Sequence, residues 1–246
     1  MTGAARNFAQ LREPSTGGIL GCLLLAESSG DYVFQELLQS GQVGRWHIRE
    51  THDEPHSAIA TCDGRSLAMI AGRQIRTAEN LEVLALGTVR DYPDGLELAE
   101  TLELVHDSAA VAVLPWGLGK WTGARLATLT ELLKWVRPDA LFLGDNGGRL
   151  GIIDAPPLLV AAQSNGFRIL PGSDPFPLPG DWKRVGSFGF RADIDLPDRD
   201  PWRVLRDWLT ARASSPAPYG QPLGLVRFLY NQIGIQVLNR WKRVRA

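Results

Sequence analysis

The chain has 246 residues, 44% of them hydrophobic and 22% charged, and a formal net charge of -1. This is the balance of a globular protein with a substantial core, and nothing in it draws the chain toward nucleic acid or an anionic membrane. Two cysteines, Cys22 and Cys62, are too few for a disulfide scaffold or a cysteine zinc site and read as reduced thiols in a cytoplasmic protein.

In chain order, residues 1–16 read as a loose leader with little to bury. The apolar run "GGILGCLLLA" is far short of the ~20 residues that a bilayer span needs. It reads as a buried strand ending near Glu27. "ILGC" superficially matches a lipoprotein cleavage site, but polar residues precede it where an apolar signal is required. "DYVFQELLQSG" predicts a short helix stopped at Gly41, and "VGRWHIRE" a weaker strand. "SLAMIAGRQIRT" and "NLEVLALGTVR" are strands joined by a short polar link, which predicts local pairing. From about residue 80 to 175 strands alternate with helices. The strand runs are "EVLALG", "AVAVLPW", "LFLGD" and "FRILPG", and the helices are "DGLELAETLELVHDS", "GARLATLTELLKWV" and "PPLLVAAQSNG". The alternation and the continuous apolar strands predict an α/β fold with a mainly parallel sheet, open or closed into a barrel. "RVGSFGFRADI" is extended, and "DPWRVLRDWLTARA" is a capped amphipathic helix. "LVRFLYNQIGIQVLNRWKR" is a longer helix with Trp241 near its basic end. These C-terminal helices, within 196–246, pack on the domain or serve as a contact arm for a partner protein.

Polar residues gather where the strands end, which is where parallel α/β folds collect chemistry. Glu27 closes the first run. "AMIAGRQIRT" delivers Gln74 and Arg76, "AVAVLPWGLGKW" delivers Trp116 and Lys120, "LFLGDNGGR" delivers Asp145, Asn146 and Arg149, and "RILPGSD" delivers Asp174. A cationic pocket rimmed by tryptophan would suit a phosphorylated or carboxylated small molecule. Each residue also has a plainer role: Asp145 and Asp174 in turns, Lys120 solvated, Trp116 in the core. "HIRETHDEPH" places His47, His52 and His56 around Asp53 and Glu54, but without the periodicity that fixes metal-ligand geometry, and reads as an exposed loop. No P-loop, G-x-S-x-G or G-x-G-x-x-G occurs.

The series "AMIAGRQI", "EVLALGT", "AVAVLPWG", "LFLGDN" and "RILPGSDPF" resembles the polymerase and histidinol phosphatase (PHP) superfamily, in a divergent bacterial branch. That resemblance implies a single domain over 1–246 built as a distorted (β/α)7 TIM-like barrel, and a metal-dependent phosphoesterase site. The ligand positions are mostly replaced. The first strand has no histidine, Gln74 and Leu114 stand where a carboxylate and a histidine are expected, and Phe176 replaces the closing histidine, leaving Asp174. Leucine, glutamine and phenylalanine cannot offset the dehydration of divalent ions. The expectation is therefore a barrel with no metal or other cofactor that binds an anionic small molecule without catalysis. Lys120, Arg149, Asn146, Gln74, Arg76, Trp116 and Glu27 would hold that ligand. A hydrolase with a rebuilt site on Asp174 and Asp145 is the first alternative, and a protein-interaction module through the C-terminal helix is the second. Neither nucleic acid nor membrane is an expected partner.

Overall fold

The computed structural model describes residues 1–9, 18–52, 55–151 and 154–245, with side chains through 236. In chain order the elements are α1 (Thr2–Ala9), β1 (Ile19–Leu24), β2 (Glu27–Ser28), α2 (Val33–Ser40), β3 (Gln42–Val43), β4 (Trp46–Glu50), β5 (Ser57–Cys62), β6 (Arg65–Ile70), β7 (Gly72–Arg76) and β8 (Glu82–Leu86). They continue with α3 (Leu98–Asp107), β9 (Val111–Trp116), α4 (Ala124–Trp135), β10 (Phe142–Asp145), α5 (Pro157–Ser164), β11 (Arg168–Pro171), a 3-10 turn (Asp181–Arg184), β12 (Phe188–Phe190), α6 (Pro201–Ala211), β13 (Pro218–Gly220) and α7 (Leu225–Arg245). No helix among the described residues is long and apolar enough to cross a membrane.

The expected barrel is overturned by the sheet topology. The strands lie in three separate sheets of five, six and two strands, ordered β1-β6-β5-β4-β3, β11-β10-β9-β8-β7-β2 and β12-β13, and no closed barrel is formed among the described residues. The reason lies in the connections. A β/α barrel needs a helical crossover after each strand. Here consecutive strands are joined by a parallel helical crossover only from β9 to β10 through α4 and from β10 to β11 through α5, while α3 joins β8 to an antiparallel neighbour. From β3 to β8 no helix intervenes between strands. Asp63 and Gly64, both at positive φ, make the β5–β6 hairpin, and a turn at Thr77–Asn80 reverses β7 into β8. So β9, β10 and β11 are parallel, whereas β8 runs antiparallel to both β7 and β9.

Strand parity then sorts the six-stranded sheet into two faces. Ile75, Val83, Ala85, Ala112, Leu114 and Leu143 pack with Val105 of α3 and Leu129 of α4 in one core. On the opposite face Leu86, Val113, Phe142 and Leu170 pack with Trp202, Leu205 and Leu209 of α6. Pro115 has no N–H to donate, and the β8–β9 ladder stops before it, at Leu84↔Val113. Arg168 is 3% exposed; it lies over the Phe142 ring and donates to the Leu209 and Asp139 carbonyls, which fixes the end of α6 against β10.

The five-stranded sheet carries its own core, in which Phe34, Trp46, Ile48, Ala58, Leu67 and Met69 meet Ala4, Ala5 and Phe8 of α1. The start of the segment expected to be a loose leader is thus a packed helix, and residues 10–17 lie outside the described part. Gly41 ends α2 as expected, at φ +64°, where its N–H reaches the Leu37 and Leu38 carbonyls. His47 sits exposed on β4, Asp53 and Glu54 lie outside the described residues, and no group of three or more His, Cys, Asp or Glu side chains able to hold a metal occurs among the described ones.

Candidate functional site

One cavity of about 920 Å³ lies against the α6 face of the six-stranded sheet. All of β1 lines it, together with Leu84, Leu86, Val113, Leu170, Phe188, Phe190 and Leu205. Along its strand-end edge the lining is polar: Gln74, Glu82, Lys120, Asp145, Asn146, Ser173 and Asp174.

Geometry explains this grouping. Gln74 on β7, Glu82 and Leu84 on β8, and Pro115 on β9 share the cavity face, while Arg73, Val83 and Leu114 point the other way. Glu82 begins its strand instead of ending it. Because β8 is antiparallel, its amino end lies beside the carboxyl ends of β7, β9, β10 and β11. A search confined to strand ends therefore passes over Glu82, although it is the partner of Lys120 at 2.5 Å. Arg191 and Asp195, which follow β12, also line the cavity and were not among the expected residues.

The two loops after β10 and β11 meet there. Asp145 accepts from the Gly147 N–H at 3.0 Å and pairs with Arg149 at 3.1 Å. Asn146 accepts from the Gly148 N–H at 2.9 Å, and its Nδ2 faces Asp174 Oδ2 at 3.5 Å. Both residues therefore make the Asx turns open to them in the sequence, and Asn146 also links the β10 loop to the β11 loop. The Gly172 N–H donates to the Asp145 carbonyl, and Ser173 Oγ accepts from the Gly186 N–H. Tyr219, on the cavity wall, donates to the Gly186 carbonyl, and burial pushes its hydroxyl up to about 12, so it stays protonated at neutral pH.

The proline-punctuated loop after Asp174 is held by a residue that the sequence reading passed over. Asp181 is fully buried. One carboxylate oxygen accepts the Phe176 N–H at 2.5 Å, and the other takes Arg227 of α7 at 2.9 and 3.0 Å. Arg184 stands 3.6 Å away. Burial lowers the pKa of Arg184, while Asp181 and Asp174 pull it back up. An acid one residue after Gly180, itself at φ +78°, followed three residues later by an arginine, was the available signal.

Of the expected site residues, Gln74, Lys120, Asp145, Asn146 and Asp174 share the cavity lining. Four do not line it. Trp116 has the parity of Ala112 and Leu114 and packs in the helix-side core with Trp121. Arg76 is exposed, and Arg149 lies behind Asp145. Glu27 accepts the Phe34 N–H at 2.7 Å near the start of α2 and pairs with Arg73, which also reaches the Asp31 carbonyl and Asp91. This network stands on the opposite face of β7 from Gln74.

Burial raises the Glu27 pKa, and the Phe34 N–H and Arg73 oppose it without reversing the shift. A carboxyl that holds its proton more tightly when folded contributes stability that is complete below its ordinary value of 4.5. That contribution is lost as pH rises through the folded value. Glu27→Gln stays neutral throughout. The unfolding midpoint of the parent minus that of the variant is expected to fall as pH rises from about 4 to about 7. A difference that rises over that range contradicts the assignment.

Fold and cavity together define a mixed α/β protein with a ligand-sized, polar-edged chamber at the carboxyl ends of its parallel strands. Comparison with protein-family models finds no match, and neither does comparison with curated protein sequences. Among solved structures, the crystal structure of PsfC from Pseudomonas syringae PB-5123 is similar at 16% identity over 84% of this chain and 78% of that one, with a TM-score of 0.49. A likeness of that size assigns neither site nor activity.

Proposed function

We propose that the chain is a small-molecule-binding protein whose ligand has an apolar body and a polar head that is positively charged or donates hydrogen bonds. The observation behind this reading is the composition of the cavity wall. Apolar residues of β1, β8, β12 and α6 cover most of it, and the polar groups gather along the strand-end edge.

The charge of the head follows from the same lining. The acids on the polar edge are Glu82, Asp145 and Asp174, and the lining cations are Lys120 and Arg191. Glu82 and Asp145 already hold Lys120 and Arg149. Asp174 is exposed at the edge, and among the described residues no cation lies within ion-pair distance of it. An ammonium or amide head would meet the Asp174 carboxylate and the Asn146 side chain. An anionic head keeps Lys120 and Arg191 as its support, without Arg76, Arg149 or Trp116. Asp145 is engaged by the Gly147 N–H and Arg149 in holding its own loop, which leaves Asp174 as the carboxylate open to a ligand head.

Nile red, a neutral apolar dye, tests the chamber. Saturable one-to-one fluorescence enhancement is expected. Leu84→Trp, which places an indole in the open volume, should weaken it about tenfold or more while leaving the unfolding midpoint near that of the parent. Unsaturable binding, or an undiminished response in the variant, removes the chamber as a ligand site.

A further inference from the structure

Among the described residues the apolar face of α7 is left largely uncovered, with Tyr230 at its margin donating its hydroxyl to the Pro179 carbonyl. Val226 is 84% exposed, Ile233 63% and Leu225 59%, with Leu229 and Tyr230 also exposed. Val226, Leu229, Tyr230 and Ile233 are spaced at i, i+3, i+4 and i+7, which puts them on one side of the helix. The other side holds the helix to the protein. Asn231 is fully buried, Arg227 is tied to Asp181, and Gly234 lies against Leu178 so closely that a Cβ there would come within 2.8 Å of its methyl groups. A single run of aliphatic and aromatic side chains at this exposure marks a contact surface, since isolated exposed residues do not form such a stripe.

Charge identifies the contact. From Leu225 to Arg245 the sequence has no Asp or Glu and five basic residues, Arg227, Arg240, Lys242, Arg243 and Arg245. Arg227 is spent on Asp181, which leaves four basic residues in the last turns of a helix that belongs to a chain of net charge -1. A second copy of the chain would bring up the same helix with no acid of its own to answer them. An anionic bilayer surface answers both features, because its acyl boundary takes the apolar stripe and its headgroups take the basic end. We propose that α7 lies flat on an anionic lipid surface, with the Val226–Ile233 stripe turned into the headgroup–acyl boundary. This concerns the outside of the molecule and is independent of what the cavity binds.

The test is co-sedimentation of the full chain with vesicles of equimolar phosphatidylcholine and phosphatidylglycerol, beside vesicles of phosphatidylcholine alone. Binding to the anionic vesicles is expected, weakened by added salt. The double variant Val226→Glu/Ile233→Glu, which changes two solvent-facing positions, should bind about tenfold more weakly or worse while keeping the parent's circular dichroism and unfolding midpoint. Absence of binding to anionic vesicles at low salt, or equal binding by the folded variant, overturns the proposal. A concentration-dependent dimer by light scattering that the double variant abolishes, without vesicle binding by the parent, also overturns it and makes the stripe a self-interface.

Discussion

Asp181→Ala is expected to lower the unfolding free energy by about 3–5 kcal/mol, the usual cost of removing one member of a buried charge group. The carboxylate is fully buried and holds three donors at once: the Phe176 N–H, the Arg227 guanidinium and, at longer range, Arg184. Removing it strands Arg184 and the Phe176 amide in a poorly solvated region and leaves the part-exposed Arg227 without its acid, a larger penalty than the pair's own net contribution. Asp181→Asn keeps the volume and one acceptor oxygen and should fall between parent and alanine variant. Urea unfolding of all three gives the order. Amide hydrogen exchange should show α7 opening first in the alanine variant, because Arg227 is its tie to the loop. A loss below about 1 kcal/mol, the range of an exposed ion pair, would contradict this account of the triad.

Gly87→Ala is expected to cost about 3 kcal/mol or more, from two sources. Gly87 has φ +82°, which an alanine adopts only with strain. A Cβ there would also lie 1.9 Å from the Trp202 indole, and Trp202 is 2% exposed in the core under α6. Neither the indole nor the β8 backbone has room to retreat. The two sources separate in a double-mutant cycle. If the clash dominates, Gly87→Ala combined with Trp202→Leu loses clearly less than the sum of the single losses; if backbone strain dominates, the losses add. A Gly87→Ala protein as stable as the parent would show that α6 does not sit against β8 as described.

How much of this was legible in the sequence depends on which physical signal each element rests on. The strands and helices from Glu82 to Pro171 were read in the right order, because long apolar runs and helical spacing are local signals. Gly41 was read correctly because a helix stop is decided within one turn. The barrel was inferred from a resemblance of short motifs, and strand direction is not encoded in such motifs. Direction is set by the links: the tight turns at Asp63–Gly64 and Thr77–Asn80 force antiparallel neighbours where a barrel needs crossovers. Asp63-Gly64 is itself a strong hairpin signal, and weighing it would have revealed β5 and the antiparallel half of the fold.

The site was legible to the same degree. Gln74, Lys120, Asp145, Asn146 and Asp174 come together on one cavity edge because each lies at or near the carboxyl end of a strand. Trp116 lies away from the cavity by parity, since two residues beyond Leu114 on a regular strand it shares that residue's face. Glu27 serves a pairing with Arg73 that only the tertiary fold brings together, and Arg149 turns back onto Asp145 within its own loop. Glu82 was hidden by the direction of β8. Asp181 lies beyond Asp174 in the following loop, where only its tertiary contacts with Phe176 and Arg227 mark it as the acid that holds the loop in place.

The central claim, that the chamber takes an amphipathic ligand head-first at Asp174, is tested most directly by displacing bound Nile red with decylamine and, separately, with decanoate. The two share an apolar tail and differ in head charge. Decylamine is expected to displace the dye at a concentration at least about tenfold below that needed for decanoate, and Asp174→Asn to lose that preference. A preference for decanoate, or the same preference in parent and Asp174→Asn, would contradict it.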